Sequence, residues 1–302
     1  MRLAAIDIGS NGARLLIKNF RVTEDGTCQV SKVMYMRVPL RLGSDVFTLG
    51  KISKERLFMM KHMLKAFWQL MKLNQVVGYR ACATSAMRDA ENGKKAMRKL
   101  RKSTGIDIEI IGGREEAMLL CNNMVENIGG VKGNFAYVDV GGGSTEVSLL
   151  CDGVLTHSRS YNVGTLRMLG GMVSKDTIEN MKADLKHFSE SMPGLRLIGS
   201  GGNINKLYRL SHSKNEGRIV LVKDIKDIYD KLKALSIDER IEQFGLKADR
   251  ADVIIPAAEV FMEISDALGC DRIQVPNISL ADSIVDGLYR SSYSFPDEDK
   301  SE

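Results

Sequence analysis

The chain has 302 residues, of which 44% are hydrophobic and 27% charged, a length and composition typical of a globular protein with two domains. The net charge of +5 suits an anionic ligand, whereas the aromatic content of 6% disfavours a base-stacking nucleic-acid platform. The five cysteines are scattered without CxxC spacing, and no apolar run approaches the length of a membrane span. The start, MRLAAIDIGSN, enters an apolar run without a signal-peptide pattern. We therefore expect a cytoplasmic protein with reduced thiols that binds neither nucleic acid nor a membrane.

Apolar β-rich runs alternate with helical patterns along the chain, which indicates an α/β fold. The predicted strands span 3–8, 15–20, 29–39, 76–83, 106–111, 134–140, 146–151, 154–161 and 196–198. The predicted helices span 53–73, 90–104, 113–127, 175–192, 204–210, 222–234, 237–244, 251–268 and 279–290. Ser236 and Glu239 fit a capping box at the start of one of these helices.

An internal repeat underlies this order. Residues 3–12 read LAAIDIGSNG and residues 135–144 read FAYVDVGGGS, so each segment has an apolar strand, an Asp, then Gly and a hydroxyl. Two such units facing each other would bring both loops to one cleft. We predict domains at 1–126 and 127–302, with the last helix able to pack back on the first domain. Two unrelated turns that look alike by chance are the alternative.

The second loop, YVDVGGGSTE at 137–146, combines carboxylates with glycines. Gly141, Gly142 and Gly143 lack Cβ atoms, so their backbone N–H groups and Ser144 could surround an oxyanion. Asp139 and Glu146 are the hard oxygen donors that Mg²⁺ prefers beside phosphate. The alternative is a tight hairpin turn with incidental carboxylates. We disfavour it because such a turn needs one or two glycines, whereas this loop has three followed by Ser-Thr.

Two further loops have related sequences. In the first loop, Asp7, Ser10 and Asn11 offer a carboxylate and small polar groups, a weak signal that gains value from its pairing with the second loop. In the third, Gly201 and Gly202 precede a predicted helix, and such glycine-rich turns are common phosphate sites. A plain turn is the competing interpretation of the third loop.

Arg88 follows the hydroxyl-rich stretch Ala83–Ser85 near a predicted helix start. A cation there opposes the helix dipole, so an anionic partner is expected, and Asn92 could share that role. Capping of the helix by the hydroxyls is the simpler interpretation of the stretch.

Glu115 and Glu116 open the predicted helix at 113–127. Two carboxylates in a first helical turn normally complement the dipole and stay solvated, and from sequence alone this interpretation is favoured. If the turn faces a cleft instead, one Glu could orient a water for in-line attack on phosphorus.

The stretch KKAMRKLRK at 94–102 is strongly basic, with Ala96, Met97 and Leu100 on one helical stripe. A solvated basic face is favoured here over a site for a polyanion. The four histidines have no ligand spacing, so a zinc site is not expected.

Taken together, the motifs resemble those of the exopolyphosphatase/guanosine pentaphosphate phosphohydrolase (Ppx/GppA) family of the actin/Hsp70/sugar-kinase superfamily. The matching segments, in family order, are AIDIGSNGARLLI, VPLRLGSDVF, ACATSAMRDAENG, IEIIGGREEAMLL, YVDVGGGSTEVSLL, NVGTLRM and LIGSGGNINKL. They cover most of residues 1–210, and RADVIIPAAEVF with VPNISLADS is similar to the end of the family's second domain.

The resemblance implies an α/β, two-domain actin-like (ribonuclease H-like) fold with an interdomain cleft. It implies metal-dependent hydrolysis of a terminal phosphoanhydride in inorganic polyphosphate, of short chains, or in guanosine pentaphosphate. Glu116 would be the base. Mg²⁺, or alternatively Mn²⁺, would be bound by Asp139, Glu146 and Asp7. The phosphate-contacting positions would be Ser10, Asn11, Arg88, Gly141, Gly142, Gly143, Ser144, Gly201 and Gly202.

The chain also departs from the family pattern. Met118 stands where Arg is common, Asn203 where Thr is frequent, and Ser283 where Gly is usual, which leaves substrate preference open. The chain resembles the short form without the C-terminal HD-type domain, and a homodimer is expected from family likeness alone. Two other functions remain open: an ATP-dependent kinase of the superfamily, and a non-catalytic module that binds guanosine tetra- or pentaphosphate.

Overall fold

The computed structural model describes residues 1–128, 132–211 and 217–293 and contains two mixed β-sheets. The first sheet has the order β3-β2-β1-β4-β5 and the second the order β10-β11-β9-β6-β7-β8. The strands of the first sheet are β1 (Arg2–Ile8), β2 (Gly12–Val22), β3 (Cys28–Pro39), β4 (Gly78–Ala83) and β5 (Glu109–Ile110). Those of the second are β6 (Asn134–Val140), β7 (Thr145–Cys151), β8 (Val154–Tyr161), β9 (Arg196–Ser200), β10 (Ile219–Leu221) and β11 (Arg272–Gln274).

The two sheets repeat one topology. In the first, β1, β2 and β3 pair antiparallel, while β4 returns parallel to β1 and β5 parallel to β4. In the second, β6, β7 and β8 pair antiparallel, while β9 returns parallel to β6 and β11 parallel to β9. The predicted α/β fold is confirmed, and so is the duplication inferred from Asp7 and Asp139.

Among the described residues of the first half, the helices are α1 (Leu42–Leu49), α2 (Lys54–Leu73), α3 (Ser85–Asp89), α4 (Gly93–Thr104) and α5 (Gly113–Ile128). The side chain of Ser53 accepts a hydrogen bond from the backbone N–H of Arg56 and so caps α2. Residues Met60 and Phe67 of α2 and Leu100 of α4 pack in one core cluster with Ile6 of β1. Hence α2 and α4 cover one face of the first sheet.

In the second half, the ranges 132–211 and 217–293 contain α6 (Thr165–Leu169), α7 (Lys175–Ser191), α8 (Gly201–Leu210), α9 (Val222–Lys233), α10 (Ile237–Phe244), α11 (Ala248–Ala251), α12 (Ile254–Ala267) and α13 (Leu280–Tyr293). The predicted capping box of Ser236 and Glu239 is present at α10. In the described part of the chain, no helix has the length and apolarity needed to cross a membrane.

A further apolar cluster lies between the two sheets and joins the halves. It contains Leu3 of β1, Tyr137 of β6, Leu120 of α5 and Ile284 of α13. Helix α5 packs against β7 and β8, whereas α13 packs against β1 and β2. Helix α5 of the first half thus packs on the second sheet, and α13 of the second half packs on the first sheet. The domain boundary at 126/127 stays a prediction, since it adjoins residues 129–131, which lie outside the described residues.

Several predicted boundaries are wrong for identifiable reasons. The helix predicted at 90–104 begins at Gly93, because 85–89 form the separate helix α3. The helix predicted at 251–268 is α11 and α12, broken at 252–253, and Pro256 falls in the first turn of α12, where its missing N–H is tolerated. Helices α1 and α6 and strands β10 and β11 were not predicted, since segments of three to eight residues carry little periodicity.

We predict that Ile284→Ala lowers the free energy of unfolding by about 2–5 kcal/mol, because the side chain is fully buried in the cluster that joins the halves. Urea unfolding followed by circular dichroism measures the change. Ser292→Ala, exposed on the same helix, serves as the control and should change stability by less than about 0.5 kcal/mol. An equal effect of both variants would contradict the packing assigned to α13.

Candidate functional site

A cleft of about 650 Å³ lies where the two repeated hairpins meet. It is open enough for a phosphorylated small molecule, and residues of both halves line it. The residues predicted from sequence that line the cleft are Asp7, Ser10, Asn11, Glu116, Asp139, Gly141, Gly142, Ser144, Glu146, Gly201 and Gly202. Arg88 and Gly143 do not belong to the lining.

The first and second loops are equivalent hairpin turns. The backbone N–H of Gly9 donates to the carbonyl of Gly12 over 3.1 Å, and that of Gly141 donates to the carbonyl of Ser144 over 2.9 Å. Strands β6 and β7 pair directly on either side of residues 141–144. The hairpin that the sequence analysis disfavoured is therefore present, and two of its three glycines, Gly141 and Gly142, line the cleft.

Close packing of the loops explains two of the glycines. The hydroxyls of Ser10 and Ser85 lie 2.8 Å apart, which joins the first loop to the start of α3. A Cβ on Gly142 would lie 2.9 Å from Cβ of Ser10, and one on Gly143 would lie 2.6 Å from Oγ of Ser85. Side chains larger than hydrogen would push these loops apart.

Helix α6 anchors the second loop from behind. The backbone N–H groups of Thr165 and Leu166 donate to the carbonyls of Gly141 and Gly142 over 3.0 and 2.8 Å. Nε of Arg167 donates to the carbonyl of Gly143 over 2.8 Å. These bonds hold the loop in one conformation, so Gly143 supports the cleft without lining it.

The third loop brings a glycine against a carboxylate. Helix α8 begins at Gly201, three residues before the predicted start, and Gly201 has φ +92°, a conformation that side chains rarely adopt. A Cβ there would also collide with Oδ1 of Asp139. Only glycine lets the helix start approach Asp139 this closely.

The duplication places two residue pairs at equivalent positions. Asp7 lies opposite Arg14 across β1 and β2 and forms an ion pair with it, whereas Asp139 lies opposite Glu146 across β6 and β7. Oε1 of Glu146 accepts hydrogen bonds from the hydroxyls of Ser144, at 2.6 Å, and Ser160, at 2.9 Å. One repeat is thus locally neutral, and the other holds two carboxylates side by side, of which Glu146 is buried and Asp139 half-buried.

Glu115 and Glu116 have different environments although both lie in the first turn of α5. The Glu115 side chain is 49% exposed and pairs with Arg80 over 2.7 Å, as expected for a solvated residue. Glu116 is only 7% exposed and lines the cleft, and none of the described residues donates a hydrogen bond to its buried Oε2. The solvated interpretation thus fits Glu115 and is wrong for Glu116.

The clustered carboxylates shift one another's pKa values. Burial and then the charge of Glu146 raise the pKa of Asp139 to about 7. Burial, reinforced by the charges of Glu146, Asp139 and Asp7, raises the pKa of Glu116 well above its usual range, although Arg88 opposes this shift. Burial also raises the pKa of Glu146. This concentration of negative charge favours protons or a cation.

Arg88 and Asn92 have other positions than the sequence analysis expected. Arg88 lies in the last turn of α3, where a cation is favourable to the helix dipole, and its Nη1 donates to the carbonyl of Ile111 over 3.1 Å. The argument that its position at a helix start calls for an anion is therefore wrong. The amide of Asn92 bonds the backbone N–H and carbonyl of Ile52 and does not line the cleft.

A wall of basic side chains in the cleft was missed by the sequence analysis. These residues are Arg14, Lys32, Arg37, Lys206, Arg209, Lys247 and Arg250. Burial, with the nearby charges of Arg37 and Arg14, lowers the pKa of Arg250 to about 10. The only signal in the sequence was Arg14 within the apolar run of β2, since the other residues converge only through the fold.

The carboxylates have the donor chemistry for a divalent cation. Asp139 and Glu146 offer carboxylate oxygens; burial and then their mutual repulsion raise the pKa of Asp139, and a bound cation would relieve that repulsion. Asp7 is engaged by Arg14. Within 1–128, 132–211 and 217–293, no three His, Cys, Asp or Glu side chains are positioned to hold a metal ion together. The residues fit an oxygen-bound cation in charge and donor type.

The three departures from the family pattern occupy different environments. Met118 is 45% exposed on α5, away from the lining of the cleft. Asn203 lines the cleft and accepts a hydrogen bond from Nη1 of Arg250 over 3.0 Å. Ser283 is fully buried in α13. Of the three, only Asn203 lies where it could contact a ligand.

Comparison with known proteins identifies relatives over nearly the full chain. The profile of the Ppx/GppA phosphatase family matches residues 22–291. Exopolyphosphatase 2 of Mycobacterium tuberculosis is 25% identical over 312 residues, covering 94% of this chain and 97% of that protein. The guanosine-5'-triphosphate,3'-diphosphate pyrophosphatase of Aeromonas hydrophila is 24% identical over 310 residues, covering 98% of this chain and 61% of that longer protein.

A solved structure has the same fold. The crystal structure of an exopolyphosphatase from Cytophaga hutchinsonii superposes with a TM-score of 0.83, covering 96% of this chain and 97% of that one. Its sequence identity to this chain is 22%, so the likeness establishes the shared fold.

We predict that Gly201→Ala destabilises the protein more than Gly269→Ala. Both glycines have positive φ, and nothing lies within 4 Å of a Cβ on Gly269, so that variant should cost only about 1 kcal/mol. At Gly201 the added methyl meets Asp139, and we expect a loss of at least about 2 kcal/mol. Urea unfolding measures both, and equal losses would contradict the close approach of Asp139.

We also predict that Asp139→Asn flattens the pH dependence of stability. A carboxyl whose pKa is raised from 3.8 to about 7 on folding stabilises the folded state fully below about pH 4 and loses this contribution as the pH rises to about 7. Urea unfolding across this range, without divalent cations, should show a smaller fall for the variant than for the wild type. Glu24→Gln, which removes an exposed charge, should follow the wild type.

Proposed function

This chain belongs to the Ppx/GppA phosphatase family, and we propose that it hydrolyses the terminal phosphoanhydride bond of inorganic polyphosphate, in short chains, or of guanosine pentaphosphate. The observation that carries the proposal is the buried carboxylate of Glu116 at the lining of a glycine-looped cleft. A buried carboxylate without a donor on Oε2 is suited to accept a proton from a ligand or a water.

The glycine loops supply the binding part of the proposal. Gly141 and Gly142, together with Gly201 and Gly202, line the cleft at hairpin turns and at a helix start. Backbone N–H groups at such positions bind phosphate oxygens without added charge. Ser10 and Asn11 line the same side, and we assign them contacts to the terminal phosphoryl group.

Glu116 performs the proton transfer in this mechanism. Its carboxylate orients a water in line with the terminal phosphorus and accepts a proton as the new P–O bond forms. The bond from phosphorus to the bridging oxygen breaks, and the shortened chain leaves with that oxygen. The raised pKa of Glu116 makes it a stronger base than an exposed carboxylate.

Asp139 and Glu146 would hold a Mg²⁺ or Mn²⁺ ion, while Asp7 remains paired with Arg14. When bound, the ion supplies charge neutralisation at the terminal phosphoryl oxygens. Neighbouring residues of the chain keep the carboxylate oxygens of Asp139 and Glu146 in place. Ser144 and Ser160 orient Glu146, and the hairpin register holds Asp139 opposite it.

The basic wall supports a polyanionic substrate. Lys206, Arg209, Lys247 and Arg250 line the same cleft as the carboxylates, so the non-reacting part of a phosphate chain would meet cations. The names of the two relatives cite polyphosphate and a guanosine polyphosphate, and this wall suits both ligands. Arg88, which does not line the cleft, would act through its hydrogen bond to the carbonyl of Ile111, just before α5, and through its charge near Glu116.

We predict that Glu116→Gln lowers kcat by about 10²–10⁴ while the fold stays intact, because the amide cannot accept the proton. Release of phosphate from tripolyphosphate and from guanosine pentaphosphate, with Mg²⁺ or Mn²⁺, measures the loss. The neighbouring Glu115→Gln is the matched control and should retain near-normal activity, since Glu115 points to Arg80 at the surface. Near-normal turnover in Glu116→Gln would refute the assignment.

Two further measurements distinguish hydrolysis from the kinase and binding-module alternatives. Incubation with ATP and candidate acceptors tests for a kinase, and tight binding of guanosine tetraphosphate without phosphate release would indicate a binding module. Phosphate release that depends on Glu116 and needs no acceptor other than water is the outcome expected here.

A further inference from the structure

A basic layer covers the outer side of the first half. Residues 51–104 contain fourteen Lys and Arg but three Asp and Glu, whereas the whole chain has 43 and 38. The remaining residues therefore carry more acidic than basic side chains. The positive charge of the chain is concentrated in one segment, which spans α2, α3 and α4.

The charged sides of α2 and α4 face outward. The two helices pack against each other, and Leu64 of α2 and Ala96 and Leu100 of α4 are buried in the core cluster on the first sheet. Because the apolar stripes face the sheet, the lysines and arginines of both helices are left on the outer surface. This surface lies outside the cleft.

Helix α4 has the densest run of cations in this layer. Six of its twelve residues are exposed basic side chains, namely Lys94, Lys95, Arg98, Lys99, Arg101 and Lys102. Arg101 pairs with Asp107 over 3.3 Å. The other five form no ion pair with any carboxylate in the part of the chain that the structure describes.

The cations of α4 are placed unfavourably with respect to the helix dipole and to one another. Lys94 and Lys95 lie in the first turn, which has no acidic residue, although the N-terminal end of a helix favours negative charge. Like charges also repeat four residues apart, as in Lys95 and Lys99, and such pairs repel. A solvated helix face gains nothing from this pattern, so a ligand that relieves it is the simpler explanation.

We propose that the exposed cations of α4 form a second binding site for linear inorganic polyphosphate, outside the catalytic cleft. The inference rests on the proposed function for the identity of the ligand and extends it from short chains to long ones. Helix α3, whose Ser85 lines the cleft, packs against α4, so one short helix separates α4 from the cleft. A polyphosphate chain that leaves the cleft past α3 would meet α4.

The chemistry of α4 selects polyphosphate over nucleic acid. The helix has no aromatic residue to stack on a base, and its exposed groups are cations that recognise phosphate alone. Each exposed contact is weak and screened by salt, so binding becomes tight only when many contacts act together. The site should therefore favour long chains and leave short ones unaffected.

The test compares two fourfold variants of the full chain. One is Lys94→Gln, Lys95→Gln, Arg98→Gln and Lys99→Gln on α4. The control, Lys175→Gln, Lys186→Gln, Lys223→Gln and Lys226→Gln, removes four exposed cations from the second half. For the α4 variant we expect KM for a long-chain polyphosphate to rise about tenfold or more, with a flatter dependence on salt. Its kcat, and its KM for tripolyphosphate, should match those of the wild type.

A binding titration with long-chain polyphosphate separates this inference from the proposed function. If no substrate releases phosphate, the proposed function fails, yet weaker binding by the α4 variant alone would still support the second site. Equal losses in both variants, or an equal loss for tripolyphosphate, would overturn it. It is also overturned if a single-stranded DNA of equal charge binds the wild type more tightly than polyphosphate and the α4 variant loses that binding. Circular dichroism checks that both variants are folded.

Discussion

Two carboxylates, the half-buried Asp139 and the buried Glu146, face each other across β6 and β7, and the rest of the cleft is built around their charge. The equivalent position to Glu146 in the first repeat is Arg14, which pairs with Asp7. One repeat therefore supplies a balanced ion pair and the other an excess of negative charge. That excess contributes to the raised pKa of Glu116 and gives the site its affinity for protons and cations.

The crossing of helices between the halves makes this cluster possible. Helix α5 follows the last strand of the first sheet but packs against β7 and β8 of the second. At its start, Gly113 lies so close to Ser160 that a Cβ would approach the serine Cβ to 2.8 Å. Ser160 also donates to Glu146. This close contact places the start of α5, and with it Glu116, near the carboxylates of the second half. The position of the candidate base therefore depends on how the two halves pack together.

Local sequence patterns were sufficient to predict much of the fold and of the candidate site. The repeat of Asp7 and Asp139, the alternating strands and the glycine loops were readable because each depends on spacing within a few residues. The helix position of Arg88 was misjudged, since α3 and α4 are separated by a three-residue break that no periodicity marks. The basic wall, which includes Arg250, could not be predicted from the sequence, because its residues come from separate elements of both halves.

The sequence by itself determined the duplicated α/β units, the loops that carry carboxylates and glycines, and the segments shared with the family. These follow from short-range chemistry: strand alternation, glycine conformations and residue types at fixed spacing. Only the tertiary structure decided that Glu116 is buried while Glu115 is solvated, and that the positive charge of 51–104 forms one outer layer. Both depend on which face of a helix packs against a distant strand, and spacing along the chain does not specify that contact.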